Sequence, residues 1–183
     1  MVFTHDTEAA LASAAALVNT LGLVDGTDRL ADLDALDDFV ATQGWIGPRA
    51  RNQGELRSVQ ALRPRLRRLW EVPEDELVAL VNAMLREADA LPQLVRHDEW
   101  DYHIHATPDD APLAKRMLIE AAMAFVDVVR GRELSRLRIC DAADCGNVVV
   151  DLSKNRSKRF CDNGCGNRVA VNAYRARKAA AAS

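Results

Sequence analysis

The stretch Arg138-Ile-Cys140-Asp-Ala-Ala-Asp-Cys145-Gly-Asn-Val-Val-Val150, continued by Arg159-Phe-Cys161-Asp-Asn-Gly-Cys165-Gly-Asn-Arg168, holds all 4 cysteines of the 183-residue chain. They fall as two close pairs, Cys140/Cys145 and Cys161/Cys165. Pairs separated by roughly 10–20 residues suit a tetrahedral tetrathiolate zinc site, because each pair sits on a knuckle and the interval can fold back as a hairpin. Here Val148–Val150 reads as one strand, Asp151–Asn155 as the turn and Lys158–Phe160 as the return, with Arg138-Ile139 as a short lead-in strand. Disulfides suit secreted chains, and neither pair has the two-residue spacing of a redox motif. Four thiolates leave no open coordination position, so the expected cofactor is one structural Zn ion per chain and the segment is a scaffold rather than a reaction centre.

Downstream, a helical pattern runs to about Ala180. At about 100° per residue, Arg168, Asn172, Arg175 and Lys178 share one arc. Val169, Ala173 and Ala176 share the neighbouring arc with Cys165, so this apolar side is expected to pack on the knuckles. Lys154, Arg156, Lys158 and Arg159 add a second basic cluster at the hairpin tip. The two clusters read either as a phosphate-contacting surface or as a solvated surface that balances acid elsewhere. Asn172 is the candidate for a base contact, since its amide can pair bidentately with adenine.

Upstream the chain changes character. Met1–Arg130 carries 13 Lys+Arg against 22 Asp+Glu, whereas Gly131–Ser183 carries 11 against 5. This asymmetry divides the chain into a helical domain over 1–131 and a zinc-binding module over 132–183. Apolar residues at helical spacing predict a first helix capped by Asp6 or Thr7 and ended by Gly22. A second starts at Thr27 or Asp28, with Leu30, Leu33, Leu36 and Val40 as its buried stripe. A third spans Glu55–Trp70 and is kinked or split at Pro64; a fourth opens at Pro73 and a fifth at Pro112, ending near Gly131. Leu94–Thr107 is the one stretch with a period of two. Tyr102, Ile104 and Ala106 alternate with Asp101, His103 and His105, which reads as a half-buried strand with Tyr102 and Ile104 inside. The rival reading makes His97, Asp101, His103 and His105 a metal site. Arg63, Arg65, Arg67 and Arg68 do not share a narrow helical face, and pairing with nearby acids is favoured over an acidic partner. The fold class is therefore mainly α, with a short β segment in the helical domain and a small treble-clef or ribbon-like module made of a β-hairpin and a helix.

Arg136-Leu-Arg-Ile-Cys140, Asp144-Cys145-Gly146, Asp151-Leu-Ser-Lys-Asn-Arg156, Arg159-Phe-Cys161 and the string Cys165-Gly-Asn-Arg168 resemble the CGNR-type zinc finger. Two departures stand: Phe160 replaces the family's usual tryptophan, and three residues rather than four separate Cys161 from Cys165. Leu17-Val-Asn-Thr20 and Ala111-Pro-Leu-Ala-Lys-Arg116 are similar to signatures of the ABATE domain that usually precedes this finger. The resemblance implies a bacterial transcription regulator, associated with stress, whose finger binds DNA through its basic residues.

On this reading the finger contacts DNA, while the helical domain senses a small-molecule effector or mediates homodimerisation. Asn19 is a candidate pocket residue, against a local bond at the end of the first helix. RNA binding by the same surface ranks lower because Tyr174 and Phe160 are the tail's only aromatic residues. A protein-interaction module without nucleic acid is the third reading. An enzyme is not expected, since no glycine-rich phosphate loop, nucleophile elbow or H-E-x-x-H motif is present. No apolar run is long enough for a membrane span, and no secretory signal is visible, so the expected location is cytoplasmic.

Overall fold

The computed structural model describes residues 2–96, 102–108 and 110–180. It is mostly helical, with two small antiparallel hairpins. Helix α5 (Leu113–Arg130) lies at the centre and packs against α1 (His5–Val18), α3 (Gln53–Arg67) and α4 (Glu74–Glu87), while α2 (Leu33–Thr42) rests on α3. Ile119, Ala122, Phe125 and Val128 on α5 are fully buried, as are Leu11, Leu30, Leu36 and Val59 from the surrounding segments.

Local chemistry explains where the helices begin and stop. Helix α1 starts at His5, earlier than the expected cap, because the Glu8 carboxylate reaches back to accept the N–H groups of Val2 and Phe3 at 3.0 and 3.2 Å. It ends at Val18 rather than Gly22, and positive φ in the next turn falls on Gly26 instead. Helix α2 begins at Leu33, not at Thr27 or Asp28. Asp28 accepts the Leu30 N–H and pairs with Arg63, which holds Leu30 in the core from outside the helix. Asp32 supplies the cap by accepting from the Ala35 N–H at 2.9 Å.

Helix α3 continues through Pro64 instead of splitting. Proline removes the N–H that would serve the Gln60 carbonyl, and Arg63 Nε donates to that oxygen at 3.3 Å. Arg63, Arg65, Arg67 and Arg68 pair with Asp28, Glu87, Glu71 and Glu76, so the internal pairing expected for this group is present. Pro73 and Pro112 stand at the caps of α4 and α5, and Gly131 caps the end of α5.

Strands β1 (Gln93–Val95) and β2 (His103–His105) form an isolated ribbon. The inward placement expected for Tyr102 and Ile104 is wrong: they are 64% and 47% exposed, and Leu94, the partner of Ile104, is 69% exposed. Among the described residues no third strand joins this ribbon, and of the alternating side chains described there Ala106 is the buried one. Among the described residues, no helix is long and apolar enough to cross a membrane.

Strands β3 (Leu137–Ile139) and β4 (Val148–Val150) pair antiparallel, Leu137 opposite Val150. The hairpin therefore encloses the first cysteine pair, and the expected return strand at Lys158–Phe160 does not form. The reason is Asp151, fully buried, whose carboxylate accepts the N–H groups of Ser153 and Lys158 at 3.0 and 2.9 Å. Lys158 N–H is drawn into that turn instead of into a ladder. Val148 and Val150 belong to the main hydrophobic core of the helices, whereas Val149 faces the cysteines. Helix α6 (Cys165–Ala180) leaves this module.

Candidate metal centre and basic helix

The four sulfurs of Cys140, Cys145, Cys161 and Cys165 lie within 4.8 Å of one another, and three of the residues are buried. A tetrathiolate ion with bonds of about 2.3 Å has sulfurs about 3.8 Å apart. Cys145 and Cys161 stand at 3.8 Å and Cys161 and Cys165 at 3.4 Å, so the donor set and its size fit such an ion. Each sulfur has a structural reason to be there. Cys140 and Cys145 sit on the loop that joins β3 to β4, closed by hydrogen bonds from the Cys140 N–H to the Asn147 carbonyl and from the Cys145 N–H to the Ala142 carbonyl. Gly164 takes φ +75° to make the second knuckle, and Cys165 opens α6. Gly166 lies against Phe160, where a Cβ would come within 3.3 Å of the ring.

Polar neighbours surround the sulfurs. Asn147 Nδ2 donates to Cys161 Sγ, the Cys161 N–H to Cys140 Sγ, and an Arg168 guanidinium nitrogen to Cys165 Sγ, each at 3.4 Å. Burial and the neighbouring Cys161 and Cys145 thiols push the Cys165 thiol up to about 12. At Cys161 burial pushes the same way, but the hydrogen bonds from the Asn163 backbone and the Asn147 side chain prevail and lower it. A cation shared by the four sulfurs must therefore displace protons, and its retention rises with pH. Asn147 was not singled out by spacing. Its buried amide is one of two donors to Cys161, beside the Asn163 backbone, and Asn147→Ala is expected to weaken metal retention by about 10- to 100-fold, read by competition with a chelating dye.

The module is bound to the helical body through its backbone. Asn19 Nδ2 donates to the Val148 carbonyl at 2.9 Å while Asn19 Oδ1 accepts the Val148 N–H at 2.8 Å. Trp70 Nε1 donates to the Val149 carbonyl at 3.1 Å, and Arg67 donates to the Gly146 carbonyl at 2.8 Å. Asn19 thus does more than bond locally at the end of α1. It lines a cavity of about 320 Å³, but its amide is committed to β4. In the other signature stretch, Arg116 is buried and donates to the carbonyls of Ala111, Ile46 and Pro48.

The basic candidates divide into two groups. Arg156 pairs with Glu133, Lys158 with Asp162, Arg159 with Asp141 and Arg168 with Asp144, at 2.7–3.0 Å. Lys154, in the turn after β4, and Arg175 and Lys178, on α6, are exposed with no ion pair among the described residues, and Asn172 is exposed on α6 as well. Arg177, missed in the sequence, joins that second group. The apolar packing expected for α6 is absent: Val169, Ala173 and Ala176 are exposed, and Cys165 is the helix's one buried residue. The helix touches its module at the first turn and then runs clear, so periodicity marked an arc that has nothing to pack on.

Of the alternative histidine group, His97, Asp101 and the His103 side chain lie outside the described residues. Within those residues the four cysteines are the only His/Cys/Asp/Glu group close enough to share an ion. Compared with family models, residues 136–178 match the CGNR zinc finger, and residues 11–132 match the ABATE family, described as "Putative stress-induced transcription regulator". A search of curated proteins finds no match.

Proposed function

Because the chain belongs to the ABATE family and carries a CGNR zinc finger behind the helical domain, we propose that it is a zinc-dependent transcription regulator whose finger contacts duplex DNA through α6. Zinc is the ion that four clustered thiolates favour. The observation that carries the proposal is the solvent-surrounded helix, held at one end by Cys165 and displaying Asn172, Arg175, Arg177 and Lys178 with no ion pair among the described residues. A helix of 16 residues is about 24 Å long and fits a major groove. In isolation such a helix is marginal in water, which favours one that gains order on a partner.

The paired cations have a secondary part. Exposed ion pairs are worth little, so Arg156, Lys158 and Arg159 can exchange a carboxylate for a phosphate. Arg168 is held by Asp144, whose carboxyl it keeps below the usual carboxylate range, and by Cys165 Sγ. It positions the start of the helix. The helical domain is the sensor or dimerisation part of this reading.

Fluorescence-anisotropy titration of the zinc-loaded protein against random duplex DNA and single-stranded RNA, across a salt series, tests the proposal. The duplex should bind preferentially, with log K falling linearly against log salt. The Arg175→Ala/Lys178→Ala double variant should reduce that slope by about 1.8, close to 0.9 per lost phosphate contact. Preference for RNA would transfer the function to that polymer. Absence of binding to both at low salt would leave the finger as a protein-docking surface.

A further inference from the structure

A cavity of about 590 Å³ lies between α1, α5, the Gln43–Gly47 loop and β2. That volume suits a small organic molecule. Its walls combine two chemistries. Ala9, Ala10, Ile46, Ile104 and Met123 give apolar surface, and Trp45 stands among them with its indole N–H fixed on Ser13 Oγ at 3.0 Å. Asp6 from α1 and Glu120 and Asp127 from α5 give three carboxyl groups.

Among the described residues of the wall, acid outnumbers arginine, with three carboxyl groups against Arg116 and Arg130. Arg116 spends its donors on the Ala111, Ile46 and Pro48 carbonyls, and Arg130 is exposed at the end of α5. Nor do the acids suit a bare metal ion, because their oxygens do not come together as the cysteine sulfurs do. Carboxyl groups spaced across an apolar cavity, with an indole in its wall, match a cation that carries its own hydrophobic body. We propose that this cavity is an effector site for small hydrophobic organic cations, of the aryl- or alkyl-ammonium class, with Glu120 and Asp6 as the charge partners and Trp45 against the apolar body.

Glu120 gives the site a pH signature. Burial raises its carboxyl to about 7, with Arg116 opposing and Asp6 adding to the rise. Asp127 accepts the Thr7 hydroxyl at 2.6 Å, and His105 and Arg130 are the remaining titratable side chains of the wall among the described residues. A bound ammonium ion takes the place of the Glu120 proton, so affinity increases as pH passes upward through 7. Helix α1, which walls the cavity, also grips β4 through Asn19.

This site specifies the sensor part of the proposed function, and calorimetry on the zinc-loaded protein without DNA decides it separately from the DNA reading. The probes are 2-phenylethylammonium, cyclohexylammonium and tetrapropylammonium, with 3-phenylpropionate and 3-phenylpropanol as the anionic and neutral counterparts. The expected result is saturable 1:1 binding of at least one ammonium ion, with each counterpart at least about tenfold weaker. Affinity should rise severalfold from pH 6 to pH 8, and Glu120→Gln should weaken it about tenfold and remove most of that pH dependence. Ala9→Phe, at an exposed position on the cavity wall, should block binding while leaving the melting temperature in place. Saturation by no ammonium probe, equal or tighter binding of 3-phenylpropionate, or cation affinity unchanged in both variants would overturn the assignment.

Discussion

Replacing Cys161 with serine is expected to cost the chain its metal and to destabilise the helical body along with the finger. Val148 and Val150 are 1% and 6% exposed and belong to the same core as Leu11, Leu17 and Phe125, while Val149 between them faces the cysteine cluster. The strand that supports the sulfurs is therefore also a wall of the helical core. Structural zinc in small modules is worth about 10–16 kcal/mol of apparent binding energy, against total stabilities of about 5–15 kcal/mol for ordinary domains. Only part of the loss reaches the body, through β4, which Asn19 and Trp70 hold, and through the Arg67 bond to the Gly146 carbonyl just before it. Even about 4 kcal/mol would lower the melting temperature by about 8–16 °C in a chain of this size. Thermal unfolding followed by circular dichroism, with metal content measured in parallel, reads the effect. A finger that loses its metal above a body melting at the parental temperature would contradict it.

Trp70→Ala should be the most damaging single change outside the metal centre. The ring is 8% exposed, stands edge-on to Phe125 with centroids 5.0 Å apart, and donates to the Val149 carbonyl. Truncation leaves a void beside the fully buried Phe125 and strips a buried carbonyl of its donor. Large-to-alanine changes at such positions cost about 3–5 kcal/mol. Trp70→Phe separates the two parts, since it keeps most of the apolar contact and removes the hydrogen bond, for about 1–3 kcal/mol. Denaturant midpoints give both costs. Hydrogen exchange at β4 should rise in both variants, because the joint between finger and body is loosened whichever part is lost. Unchanged exchange at β4 in Trp70→Phe would mean that the indole N–H does not hold the strand.

How much of this was legible depended on the range of the determining contacts. The cysteine cluster was visible because metal chemistry fixes both residue type and spacing, and the closures at Pro73, Pro112 and Gly131 because backbone geometry is local. The paired arginines of α3 followed from the number of nearby acids. The Asn19–Val148 clamp joins residues 129 apart, and nothing near Asn19 announces it. The partner of β4 was misread because the Asp151 carboxylate takes the Lys158 N–H, a detail that alternation does not encode. Tyr102 and Ile104 alternate as a half-buried strand should, yet period alone does not say whether a second layer exists to cover them. The same limit applied to Val169, Ala173 and Ala176. Their arc is real, and its exposure turns α6 from a packed element into a displayed one.

The signatures shared with the ABATE domain gain physical roles from the structure. In Leu17–Thr20, Asn19 holds β4 and the Thr20 hydroxyl bonds the Leu17 carbonyl at 2.7 Å. In Ala111–Arg116, the arginine gathers the carbonyls of the Gln43–Pro48 loop and so shapes the floor of the large cavity. The first fixes the finger to the body, and the second fixes the wall of the candidate effector site.

In the proposed function a metal-held finger presents α6 to duplex DNA. The most direct measurement is anisotropy of a labelled random duplex with zinc-loaded protein, with chelator-treated protein and with zinc restored, at one low salt concentration. The expected result is binding by the loaded protein, loss on chelation and recovery when zinc returns. Equal binding by the loaded and metal-free forms would contradict it, since the duplex contact would then owe nothing to the cysteine scaffold from which α6 starts.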